Sequence, residues 1–131
     1  MIKFCRGIPV EVKSSIFDVF SPPLQNIRKA ISEKTKAIIE SYPYDYIIGS
    51  VHFIDDWAFD DPATREYWKI HDVNEVYRKY YALLRQSAKT GFFNIIGHPD
   101  LPKKFGARPT ADLTDEITAT AKVFTETGVA I

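Results

Sequence analysis

The chain has 131 residues, a length that fits one domain around one core. Seventeen basic residues balance seventeen acidic ones. With no basic stripe, the charge pattern argues against a nucleic-acid surface, which rests on clustered Lys and Arg. The hydrophobic fraction of 45%, with nine Phe, seven Tyr and two Trp, is ample for a packed core and excludes a disordered chain.

The single cysteine, Cys5, leaves no internal disulfide and fits a reducing compartment. It reads as a small apolar residue of the first strand. No apolar stretch approaches the roughly 18 residues of a membrane span, and the N-terminus lacks a signal peptide's apolar region. These features predict a soluble, cytoplasmic protein without a membrane partner.

In chain order, Ile2, Phe4, Ile8, Val10 and Val12 outline a first strand, with Pro9 placing it at an edge or an end. Ser21-Pro22-Pro23 is a breaker. Ile27, Ala30, Ile31, Ala37 and Ile38 then recur at helical spacing until Ser41-Tyr42-Pro43 stops them, because the residue before proline avoids the helical region. Residues 44–54 read as the second strand, and 55–67 as a solvated loop rich in Asp and Pro. Ile70, Val73, Val76, Tyr77, Tyr80, Tyr81, Leu84 and Ala88 trace a long amphipathic helix that Gly91 closes. Tyr77, Tyr80 and Tyr81 belong on its core side.

Residues 92–97 form the next predicted strand, and 98–109 a loop with three prolines. Leu113, Ile117, Ala121 and Phe124 mark the last helix, capped by Gly128. Val129-Ala130-Ile131 opens a further strand. The predicted order β-α-β-α-β-α-β is that of an α/β fold, with parallel strands joined through helices. Its last strand has only started where the sequence ends, so the reading is of part of a larger domain.

Two segments share one design, an apolar run, then glycine, then histidine: Ile47-Ile48-Gly49-Ser50-Val51-His52 and Ile95-Ile96-Gly97-His98. In parallel α/β folds the ends of such strands carry ligands and chemistry. Alternation puts Tyr46, Ile48, Ser50 and His52 on one side, and Asn94, Ile96 and His98 on one side. If the two strands lie close, His52 and His98 converge above one edge. Imidazole is a common ligand for Zn, Mn and Fe, and catalytic sites add carboxylates, for which Glu11 is a candidate. The alternative is that each histidine is a hydrogen-bonded structural residue.

Other candidates carry less. His71 reads as a solvated surface residue. Gly49-Ser50-Val51 lacks the second glycine of a nucleophile elbow. Asp55, Asp56, Asp60 and Asp61 surround Trp57 without the spacing or central glycine of a calcium loop. Lys103, Lys104 and Arg108 follow His98, where a phosphate held at the metals could meet one of them or where they merely solubilise the loop.

The run from Tyr42 through Ser50-Val51-His52-Phe53-Ile54, followed by Trp57, Phe59, Asp60 and Pro62, resembles the histidinol-phosphatases of the PHP (polymerase and histidinol phosphatase) superfamily. Tyr80-Tyr81, Gly91-Phe92 and Ile95-Ile96-Gly97-His98-Pro99-Asp100-Leu101-Pro102-Lys103-Lys104-Phe105-Gly106 match the same family in the same order. The likeness covers residues 40–131, with 1–39 diverged, inside one partial PHP domain spanning 1–131.

The resemblance implies part of a distorted (β/α)7 barrel with Mn, Zn or Fe at the strand ends. By that likeness His52 and His98 take metal-ligand positions, Glu11 is the candidate third ligand, and catalytic and substrate-binding residues stay unassigned. The implied reaction is metal-dependent hydrolysis of L-histidinol phosphate to L-histidinol and phosphate in histidine biosynthesis. The family's opening His-x-His and late Asp-x-His have no counterpart here, since no His precedes His52 and the sequence ends at Ile131. The expectation is therefore an incomplete metal site, with the isolated chain inactive or completed by self-association or a complementing chain. A non-catalytic fragment or interaction protein is the alternative.

Overall fold

The computed structural model describes residues 25–131, with side chains from residue 33 onward. The predicted first strand, Cys5, the Ser21-Pro22-Pro23 breaker and Glu11 lie outside the described residues. Among the described residues, three α-helices alternate with two very short parallel strands, which is an α/β arrangement.

Helix α1 spans Gln25–Glu40. It ends where predicted: the Ser41 hydroxyl donates to the Ile38 carbonyl at 2.7 Å, ahead of Tyr42-Pro43. Ile38, placed on its apolar face by the sequence, is 51% exposed.

Both predicted strands form, but their ladder is far shorter than the apolar runs. Strand β1 is Ile48–Gly49 and strand β2 is Ile95–Ile96, paired in parallel with Ile48 opposite Ile95 and Gly49 opposite Ile96. The Asn94 side chain ends the ladder on one side, its Oδ1 accepting from the Ile47 N–H at 2.9 Å. Ala130 flanks β2 on its other edge: Ile96 N–H donates to the Ala130 carbonyl at 2.8 Å, and Ala130 N–H to Asn94 at 2.9 Å. The predicted pairing near Val129–Ile131 is therefore present as a single parallel bridge.

Glycine is required at both strand ends by close approach. A Cβ on Gly49 would sit 2.5 Å from the Phe93 ring, and one on Gly97 would sit 2.6 Å from Ser50 Oγ. Large side chains at these positions would wedge the two segments apart.

Helix α2 covers the sheet over Val73–Lys89. Asp72 starts it, its carboxylate accepting from the N–H groups of Asn74 and Glu75 at 2.8 and 3.4 Å. Its buried face is Val76, Tyr77, Tyr80, Leu83, Leu84, Ser87 and Ala88, which contains Val76, Tyr77, Tyr80, Leu84 and Ala88 of the predicted stripe and adds Leu83 and Ser87. Ile70, assigned to that stripe, is instead 78% exposed, because the helix begins only after Asp72.

The residues before it are not a plain loop either. Asp61 accepts from Ala63 N–H at 2.8 Å and Pro62 follows it, starting a 3₁₀ helix over Pro62–Lys69. A second 3₁₀ helix, Leu101–Phe105, occupies the predicted 98–109 loop and ends at Gly106, φ 86°. An acid-proline pair starts the first of these helices and a left-handed glycine ends the second, signals that apolar periodicity does not register.

Helix α3, Thr114–Thr127, packs on α2 through Thr120, Val123 and Phe124. Asp112 accepts from the Thr114 N–H and hydroxyl at 2.9 and 2.6 Å, bonds that hold its carboxyl below the usual value. Gly128 closes the helix in the left-handed conformation, as the sequence predicts. Ile117 is a further exception to the predicted apolar stripe, being half exposed.

Tyr77 and Tyr80 are buried, with Tyr80 at 0% exposure, and Tyr81 packs partly buried against the core. Burial raises the Tyr80 phenol well above its ordinary value, and raises Tyr77 and Tyr81 in the same direction. In the unfolded chain these phenols ionise near pH 10, whereas the folded state keeps them neutral. Their contribution to stability is full below about pH 10 and is lost as pH rises beyond it. Denaturant titrations should show unfolding free energy falling by up to about 1.4 kcal/mol per pH unit from Tyr80 above that point. Replacing Tyr80 with Phe should flatten the slope.

Candidate metal centre

His52 and His98 both follow the sheet's strands. Each follows a short parallel strand and a glycine, and the strands are direct neighbours. Their rings converge, with centroids 6.2 Å apart and planes at 70°. The conditional expectation of convergence above one sheet edge describes the actual arrangement.

The two residues reach this point differently. His52 lies three residues beyond β1, past the buried Val51, and is itself partly buried. His98 is exposed and has φ 54°, in the left-handed region that non-glycine residues enter seldom. Its carbonyl accepts the hydroxyl of Tyr80. The buried tyrosine thus fixes a strained turn that aims the His98 side chain, and such strain persists where surrounding structure over-determines it.

His52 Nδ1 lies 3.0 Å from Asp60 Oδ2, with both side chains largely shielded. An ionised carboxylate only accepts hydrogen bonds, so the imidazole proton belongs on Nδ1. His52 Nε2 is buried and has no hydrogen-bond partner among the described residues. A buried polar atom left unsatisfied costs about 1–3 kcal/mol, so its presence in a folded site calls for an occupant.

Asp60 is not among the site residues that the sequence predicts, where it stands with the solvated loop acids. The structure divides that loop: Asp55 pairs with Lys79 at 2.6 Å, Asp61 starts the 3₁₀ helix, and Asp60 meets His52. A signal was present in Trp57-Ala58-Phe59, since two buried aromatics immediately before Asp60 pull it inward.

Lys104 extends the arrangement. Its Nζ donates to the Asp60 carbonyl at 2.7 Å and stands 3.6 Å from Asp60 Oδ2. Lys103 pairs with Asp100 at 3.2 Å, and Arg108 donates to the carbonyls of Lys103 and Ala107. Of the three cations that follow His98, Lys104 is the one tied to the histidine pair. His71 is exposed, as expected of a surface residue, yet its ring stacks on Trp57 at 4.5 Å.

The donor chemistry fits a divalent transition metal. Two imidazole rings lie beside each other, one of them offers an unpartnered buried nitrogen, and its other nitrogen is held by a carboxylate, as is usual for metal-binding histidines. Among the described residues, no group of three or more His, Cys, Asp or Glu converges on one point. Among the same residues, no helix is long and apolar enough to cross a membrane.

Comparison with known proteins bears on the same residues. A protein of Deinococcus radiodurans, described as probable histidinol-phosphatase, is 45% identical over 69 residues. That stretch is 53% of this chain and 26% of the relative, so the chain is matched to about a quarter of the relative's length. The family model for the PHP domain matches residues 2–131. With nearly the whole sequence covered by that model, the chain belongs to the PHP domain family.

Proposed function

We propose that this PHP-family chain serves a metal-dependent phosphomonoester hydrolase acting on L-histidinol phosphate, as a single domain that forms part of a distorted (β/α)7 barrel. The observation that carries the reading is the buried, unpartnered Nε2 of His52 beside the His98 ring, at the ends of two parallel strands. The histidinol-phosphatase name of the Deinococcus radiodurans relative supports the substrate class.

In this reading His52 and His98 hold a divalent Mn, Zn or Fe ion, and Glu11 is a further ligand. Such an ion supplies Lewis-acid polarisation of a phosphoryl oxygen and a water acidic enough to react near neutral pH. The chain's own residues do the positioning. The Tyr80–His98 bond fixes one imidazole, Asp60 fixes the other, and Lys104 sets a positive charge beside them that favours a phosphate dianion.

Two histidines and one carboxylate can hold a single ion at most and cannot build a multinuclear site. The chain alone is therefore expected to turn over slowly, far below the roughly 1–10³ s⁻¹ of typical enzymes. Phosphate release from L-histidinol phosphate should require added Mn²⁺ or Zn²⁺ and disappear when both histidines are replaced. Release that ignores chelator, or that survives loss of both histidines, would refute the proposal.

A further inference from the structure

We infer that Asp60 is the positioning residue of His52: its carboxylate fixes the Nδ1–H tautomer and so keeps Nε2 free as a lone-pair donor. This rests on the proposed role of His52 as a metal ligand, but its structural basis is separate. A neutral imidazole left to itself prefers the proton on Nε2. In this site that tautomer would leave a buried N–H with no acceptor and would set the Nδ1 lone pair against a carboxylate oxygen 3.0 Å away. Only the Nδ1–H form satisfies the contact.

The segment bearing Asp60 is built to hold still. Three consecutive carbonyls are each tied by a side-chain donor: Ala58 by the Thr64 hydroxyl, Phe59 by Trp68 Nε1 at 2.8 Å, and Asp60 by Lys104 Nζ at 2.7 Å. The Phe59 ring anchors the same segment in the core, against Trp57, Trp68 and Tyr80. A carboxylate on such a support has little freedom to leave the imidazole. Lys104 Nζ stands 3.6 Å from Oδ2, the same carboxylate oxygen that meets His52.

The geometry therefore separates two duties that a single histidine cannot perform alone. His52 donates electrons through Nε2, while Asp60 dictates which nitrogen is available. Outer partners of this kind typically change metal affinity by about 10–100-fold.

Long-range ¹H–¹⁵N correlation spectra of the metal-free, ¹⁵N-labelled chain test this directly, under conditions where the ring is neutral. Wild-type His52 should carry its proton on Nδ1, and Asp60→Ala should move the population toward Nε2–H. In parallel zinc titrations Asp60→Ala should weaken binding by about 10–100-fold. A wild-type His52 protonated on Nε2 overturns the inference, as does an Asp60→Ala variant with unchanged tautomer and unchanged affinity. Should that variant fail to fold, the wild-type spectrum alone still decides. Zinc that binds without perturbing the His52 nitrogens overturns the ligand reading instead, and the tautomer comparison still judges Asp60.

Discussion

Replacing Phe59 with alanine is expected to remove about 3–5 kcal/mol of stability, the range for a buried aromatic truncated to a methyl. Phe59 is 1% exposed. Its ring meets Tyr80 at 5.5 Å, Trp57 at 6.3 Å and Trp68 at 6.4 Å, all edge to face. Loss of the ring opens a cavity between the 55–69 segment and α2, and the aromatic pairs go with it. Single domains are stable by only about 5–15 kcal/mol, so one such truncation takes a large share. The urea midpoint should drop sharply. Because Phe59 directly precedes Asp60, the variant should also loosen the His52 contact. A midpoint close to wild type would show that this aromatic group does not anchor the segment.

The second large effect concerns the histidines. Removing either ring should weaken binding of a divalent ion by more than the roughly 10–100-fold typical of an outer partner, because a direct ligand is lost. His52→Ala is suitable at the first position. At the second, His98→Asn is the better choice, since asparagine tolerates φ 54° where alanine is strained. Isothermal titration with Zn²⁺ reads both. If either variant binds like wild type, that histidine is a structural residue and not a ligand.

What the sequence discloses about this fold follows from which forces act locally. The α2 stripe was legible because its apolar residues recur at the helical period, and Gly91 and Gly128 mark the helix ends through left-handed backbone. Ile70 was misplaced because periodicity does not know that Asp72 caps the helix behind it. The two 3₁₀ helices were missed for the same reason: Asp61-Pro62 and Gly106 set them, not an apolar pattern.

The strands were found but overextended. The apolar runs reflect burial, whereas the ladder is bounded by the Asn94 side chain at one end and by Gly49 and Gly97, packed under Phe93 and Ser50, at the other. At the site, the repeated Gly-then-His pattern located both histidines at neighbouring strand ends. Asp60 escaped notice because its partner lies eight residues away and beyond a turn, a relation fixed by tertiary packing of Trp57 and Phe59. The left-handed turn at His98 was equally invisible, since the Tyr80 hydroxyl that fixes it comes from another element.

In the proposed function, His52 and His98 hold one and the same ion. Cadmium-113 NMR of the ¹⁵N-histidine-labelled chain tests it most directly, because one-bond coupling identifies each nitrogen attached to the metal. A single cadmium resonance coupled to His52 Nε2 and to one ring nitrogen of His98 is expected. A resonance coupled to neither ring, or two resonances each coupled to one histidine, would contradict it.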